Sequence, residues 1–230
     1  MDDIQKKPNV QPAANPLLDF DGLPRFDQVQ PDNVTPAIDT LLAQAREVVA
    51  RVSAGESQPT WDSVVEPLNE VTDRLARSWG VVSHMNSVVD TPELREQYNE
   101  NLPKLTEFWT ALSHNEALYG KFKALAAAPD FARWPEVRRK VLENELRDFR
   151  LGGAELPADQ KERFKQVRER ESRVSTRFAE NVLDATNAFA LYIDDTTALE
   201  GVPPDAMQML AEAARAEGKE GYKISLQYPS

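Results

Sequence analysis

Metal-assisted hydrolysis needs clustered donors, and this sequence offers few. A zinc hydrolase site takes two or three imidazole or carboxylate ligands at fixed spacing, typically HExxH on one helix with the glutamate as general base. The chain has only His84 and His114, neither inside HExxH. Packing or surface roles are expected for both, with SHMNS around His84 contributing a hydrogen bond between helices. Cysteine is absent, which excludes disulfides and thiolate zinc sites. Serine, histidine and aspartate all occur, but no GxSxG elbow marks a nucleophile. Asp194-Asp195 has the composition of an acid/base dyad, yet its place after an alternating run points to a turn, where aspartate bonds its own backbone. No catalytic or metal position is therefore assigned between Met1 and Ser230, and substrate-contact positions are left open.

Three other stretches have chemical character. LRDFRLGGAELP, Leu146 to Pro157, holds two adjacent glycines but lacks the preceding strand and the GK[ST] or GxGxxG context of a phosphate loop. It reads as a helix stop and restart: Gly152 in the left-handed closing position, Gly153 freeing the reversal, and Pro157 with Asp159 opening the next helix. RERESR, Arg168 to Arg173, alternates in sign and reads as a solvated face with Glu169 and Arg173 in the favourable i,i+4 order. Asn181, Asp184 and Thr186 in NVLDAT are unusual for a helix interior, and suit either a buried polar clamp or a channel lining.

The elements that must position these residues are mostly helical. The lead over 1–14 is polar and expected to be flexible, followed by a strap whose Leu17, Leu18, Phe20, Leu23 and Phe26 pack on helices. Thr35 as N-cap with Pro36 predicts a first helix closed by Gly55. A second starts near Thr60, with Pro67 marking a kink or a late start, and Thr91-Pro92 opens a third. A fourth spans Glu116 to Ala127 and a fifth starts at Pro135. The sixth, Ala158 to Ala188, carries Phe164, Val167, Val174, Phe178, Val182 and Ala185 on one stripe. Glu171 interrupts that stripe, so replacing it with leucine is expected to raise the melting temperature. Trp61, Trp79, Trp109 and Trp134 fall on helical stripes as core anchors.

Near the end, FALYIDD and GYKISLQY alternate as two short strands around a helix that follows Pro203-Pro204. A terminal strand with one apolar face needs a neighbour, so the chain reads as the front of a longer protein. The expected class is mainly α, an array of long antiparallel helices with a short strand pair near the C-terminus. The expected division is a lead over 1–14, a helical domain over 15–188 and the start of an α/β portion over 189–230.

Bulk properties narrow the partners. With 230 residues and 41% hydrophobic content the chain can bury a core. Its 38 acidic against 27 basic residues give a formal net charge of -11, which repels phosphate backbones and anionic lipid, so neither nucleic acid nor membrane is an expected partner. No signal-peptide pattern and no membrane-length apolar run are present, making a cytoplasmic location the expectation.

LRDFRLGGAELP, KERFKQV, FAENVLDAT, LEGVP and GYKISLQYPS occur in that order, with NPLL, TWDSVVEPL and SHMNSV upstream. Together they resemble the front portion of the M3 zinc oligopeptidases, the group of oligopeptidase A, thimet oligopeptidase and neurolysin. The resemblance runs from Asn15 onward and is most specific between Leu146 and Ala185; Glu171-Ser172 departs from the leucine-serine usual in relatives. It implies the N-terminal part of a neurolysin-like fold, a helical shell around a channel in which a zinc-bound water cleaves short peptides. Zinc, the HExxH and the transition-state residues are then expected downstream, in the remaining catalytic part of the same protein. On that reading the parent is a zinc metalloendopeptidase acting on oligopeptides, and this chain alone binds no cofactor and is inactive. The alternative is a stand-alone helical interaction module without catalytic activity.

Overall fold

Proline placement sets where the first helix starts. In the computed structural model, which describes residues 15–55 and 58–226, helix α1 (Pro31–Ala54) has Pro31 in its first position. Gln30 is the N-cap, and the Asn33 side chain returns to the Gln30 N–H at 2.7 Å. The start expected at Thr35-Pro36 is thus one turn too late. Pro36 lies inside the helix at the cost of one backbone bond, and Thr35 turns its hydroxyl toward a neighbouring helix. The lead over 1–14, and Gln227 and Tyr228 of the last alternating run, lie outside the described residues.

Thr60 caps a single π-helical turn, Trp61–Val65, which feeds α2 (Glu66–Val88) with Pro67 in its first turn. That is the late start Pro67 predicts, since a proline is tolerated where its missing N–H has no partner to lose. Asp90 then adopts φ 44° and its carboxylate receives Arg95 Nε at 3.0 Å, fixing the reversal into α3 (Pro92–Ser113). Thr91 caps α3 as expected. Two shorter helices follow, α4 (Glu116–Ala126) and α5 (Glu136–Leu151), and then the long α6 (Ala158–Ala188). Strand β1 (Leu191–Ile193), helix α7 (Pro204–Ala216) and strand β2 (Tyr222–Ile224) complete the described chain.

Two compact units divide inside α6, at Arg170 and Glu171. The first unit has a core in two parts. Around α1, α2 and α3 the residues Ile38, Leu42, Leu75, Val82, Leu94 and Phe108 are buried together with Leu17 from the strap. Around α4 and α5 the cluster is Val64, Val65, Leu118, Phe122, Leu142 and Phe149. Trp79 stacks on Tyr98 at 4.7 Å and Trp61 meets Trp134 edge-on at 6.1 Å, both beside these cores. Trp109 does not anchor the core; it is 38% exposed, with its ring edge-on to Phe108. Leu23 of the strap is also corrected, being 88% exposed where Gly22 turns the chain outward with φ +77°.

In the second unit β1 and β2 pair antiparallel, Leu191 opposite Ile224 and Ile193 opposite Tyr222. Each strand has only three residues, shorter than the alternating runs suggest, and β1 gives way at once to the 3-10 turn capped by Asp195. No described residue of α6 is buried, although its spacing is helical. Phe178 is 70% exposed, and Glu171 is exposed too, which removes the buried-charge argument for expecting stabilisation from a leucine there. Among the described residues no helix is long and apolar enough to cross a membrane.

Candidate functional site

The most specific sequence block builds the corner where α5 hands over to α6. Ala154 N–H bonds Phe149 C=O at 2.9 Å and Gly153 N–H bonds Arg150 C=O at 3.1 Å, the paired bonds of a Schellman ending. The left-handed residue is Gly153, with φ +97°, and not Gly152 as the sequence suggested. Gly152 is required for a different reason: a Cβ there would stand 2.5 Å from the Ser113 Cβ at the end of α3. Ser113 Oγ donates to Gly152 C=O at 3.2 Å, tying the two helix ends together.

His114, at the C-cap of α3, lies under this turn. Its ring meets Phe164 of α6 edge-on at 5.3 Å, and its Nε2 is buried with no hydrogen-bond partner. Burial lowers its pKa, the nearby Lys161 cation lowers it further, and a bond with the Gly152 backbone opposes both. Lys161 is itself paired with Glu116 at the start of α4, and this bond holds the Glu116 carboxyl below the usual range. Alongside, Tyr119 OH donates to Glu155 at 2.7 Å, which raises the phenol.

The second unit carries a groove of about 530 Å³ between the end of α6, α7 and β2, floored by Phe189, Leu199, Met209, Leu210 and Ile224. One rim is held by a polar cluster in which Tyr192 OH and Lys223 Nζ both donate to Glu217, and Lys219 lies over the Tyr192 ring. The bond from Lys223, then that from Tyr192, lowers the Glu217 carboxyl; Glu217 in turn raises Lys223. The groove is a mostly apolar surface with one polar edge.

The residues singled out from sequence do not converge. His84 is exposed near the end of α2, edge-on to Phe26 at 5.6 Å, whereas His114 closes the 22-residue α3 at its far end. Asp195 caps the turn after β1, accepting from Thr197 N at 2.9 Å and Thr197 Oγ1 at 2.6 Å, and these bonds lower its pKa. Glu169 meets Lys165 at 3.9 Å, one turn before the expected partner Arg173. Asn181 and Asp184 are exposed, so NVLDAT forms no buried clamp. A buried clamp exists elsewhere, unforeseen: Asn101 of α3, fully buried, donates to Thr35 Oγ1 at 2.6 Å and to Gln97 C=O at 2.8 Å.

Zinc would need a donor set these residues do not supply. Among the described residues no group of three or more histidine or acidic side chains is placed to hold a metal ion. The two histidines, one near the end of α2 and one at the C-cap of α3, do not fit one.

Comparison with known proteins places the fold. The sequence profile described as "Neurolysin/Thimet oligopeptidase, N-terminal domain" matches residues 26–161. The chain belongs to the neurolysin/thimet oligopeptidase family. Within that family it is 37% identical to "Oligopeptidase A" of Haemophilus influenzae over 94% of this chain and 32% of that protein. Against "Oligopeptidase A" of Escherichia coli the figures are 38%, 94% and 32%. A "Dipeptidyl carboxypeptidase" of Salmonella typhimurium is 26% identical over 90% of the chain and 31% of that protein. The chain thus spans about a third of the length of the curated relatives it matches. The matched residues cover α1 to α5 and the start of α6, and the two-strand sheet lies beyond them.

Proposed function

We propose that this chain is the N-terminal, non-catalytic part of a cytoplasmic zinc metalloendopeptidase that hydrolyses short oligopeptides, and that it forms part of the channel wall limiting substrate size. The observation that carries the reading is the pairing of a family match with an unsuitable donor set. The relatives named oligopeptidase A are 36–38% identical to the chain, while its two histidines, His84 near the end of α2 and His114 at the C-cap of α3, join no group of three donors among the described residues. The lower identity to proteins named dipeptidyl carboxypeptidase, 23–26%, favours the endopeptidase side. Zinc and the residues that work with it belong to the remaining catalytic part of the polypeptide, and peptide substrates are bound through the whole enzyme.

The second unit supports that partner. Its α6 residues Val174, Phe178 and Val182 are exposed, and so are Leu191 and Met209, a density of uncovered apolar side chains that a packed neighbour would remove from water. The test is cleavage of a quenched fluorescent oligopeptide. The 230-residue chain is expected to give no turnover with or without added zinc. A polypeptide extended to the length of the relatives is expected to cleave, and to lose that activity on chelation. Zinc-stimulated turnover by the short chain alone overturns the proposal, as does a chelation-resistant long chain.

A further inference from the structure

Protonation of His114 conflicts with the packing around it. Its Nε2 is enclosed without an acceptor and lies beside Gly153, where even an added Cβ would come within 3.1 Å of it. Phe164 covers another side of the ring at 5.3 Å between centroids. A proton placed on Nε2 would therefore be an unpaired buried N–H carrying positive charge, and the ring cannot move aside without displacing the turn or Phe164. We propose that His114 is a proton-sensitive latch: as the neutral ring it holds the α5–α6 turn on the corner between α3 and α4, and acidification releases that turn. This inference does not depend on the peptidase reading.

Burial sets the direction, the charged groups at the corner reinforce it, and the Gly152 backbone bond opposes both. Lys161, from α6, is the cation acting on the imidazole; Glu116, from α4, is bound to Lys161; Glu155 and Arg150, from the turn and α5, act on Tyr119. Because Glu116 is held below the usual carboxylate range by its bond to Lys161, that pair persists through the range in which histidine titrates, and the Lys161 charge stays where it opposes a second cation. His114 in the folded corner binds its proton less readily than a free histidine. The unfolded or opened form therefore holds more protons. Docking is at full strength above the ordinary imidazole value of 6.5, weakens as the pH falls below it and is lost through the lowered folded value.

The measurement is amide hydrogen exchange at Gly152, Gly153 and Ala154, whose N–H groups bond Asp148, Arg150 and Phe149. Corrected for intrinsic rates, protection in the unmodified chain is expected to fall with acidification by up to about tenfold per pH unit, the limit for one proton. His114→Asn is expected to abolish that dependence and His84→Gln to retain it. Should His114→Asn prove too unstable, the ring signals of His114 in the unmodified chain are to be titrated by NMR, where a midpoint below the ordinary value supports the latch. A midpoint at or above it, pH-independent protection, or an unchanged dependence in His114→Asn overturns it; so does its loss in His84→Gln.

Discussion

Thr35 links α1 to α3 through one hydroxyl that both donates and accepts. It gives its proton to Gln97 Oε1 at 2.8 Å and receives Asn101 Nδ2 at 2.6 Å, all within a fully or partly buried interface. Asn101 Oδ1 is buried without a partner, so the clamp already holds one acceptor without a donor, and removing the Thr35 hydroxyl takes the donor from Gln97 Oε1 as well. Thr35→Val keeps the shape and deletes the hydroxyl. It should lower stability by about 1–2 kcal/mol, the cost of leaving buried polar groups unpaired. Urea unfolding followed by tryptophan fluorescence would read this as a lower midpoint at constant slope, and an unshifted midpoint would mean the hydroxyl contributes nothing net. Sequence alone did not reveal this role, because Thr35 followed by Pro36 satisfies the local rule for a helix start just as Gln30 followed by Pro31 does. The choice between them is made by α3, which is distant in the chain.

At the scale of elements, the turn between α5 and α6 carries two glycines for two separate reasons, and substitutions can separate them. Gly153 needs its left-handed backbone, whereas Gly152 needs space next to Ser113. Alanine at either position should destabilise the chain by about 1–3 kcal/mol, from strain at one and overpacking at the other. Adding Ser113→Gly should recover a substantial share of the loss from Gly152→Ala and none of the loss from Gly153→Ala. Thermal unfolding of the two glycine variants, the two double variants, Ser113→Gly alone and their parent reads the coupling directly, and equal behaviour of the two glycines would refute the division of roles. Helix boundaries at Thr91 and Pro135 were readable because caps and prolines act within one turn. The stripe on α6 was readable as a stripe but not as a surface. Spacing dictates which side chains share a face, and only the rest of the polypeptide dictates what covers it.

For the whole molecule the contrast lies in how the two units bury apolar surface. The unit ending at Arg170 contains both core clusters, while among the described residues beyond it only Leu199 and Ala214 are buried. Two three-residue strands and a polar cluster at Glu217 are left to hold the second unit's shape, and an isolated strand pair is marginal in water. Local opening should therefore be much less costly there. Limited trypsin digestion at neutral pH is expected to attack the exposed Arg173, Arg177 and Arg215 first, leaving a resistant product that ends near the division in α6. Mass spectrometry of the early time points identifies that product. Loss of the intact chain with no such intermediate, or early cuts between α1 and α4, would show that the second unit is as firmly folded as the first. In the longer polypeptide the same bonds should resist far longer, because the covering proposed for Phe178, Val182 and Met209 would raise the energy of opening. If the extension left those cuts as fast as before, the uncovered face would have to be a free surface of the protein, and the assignment of the remaining polypeptide as its neighbour would fail while the family membership stood.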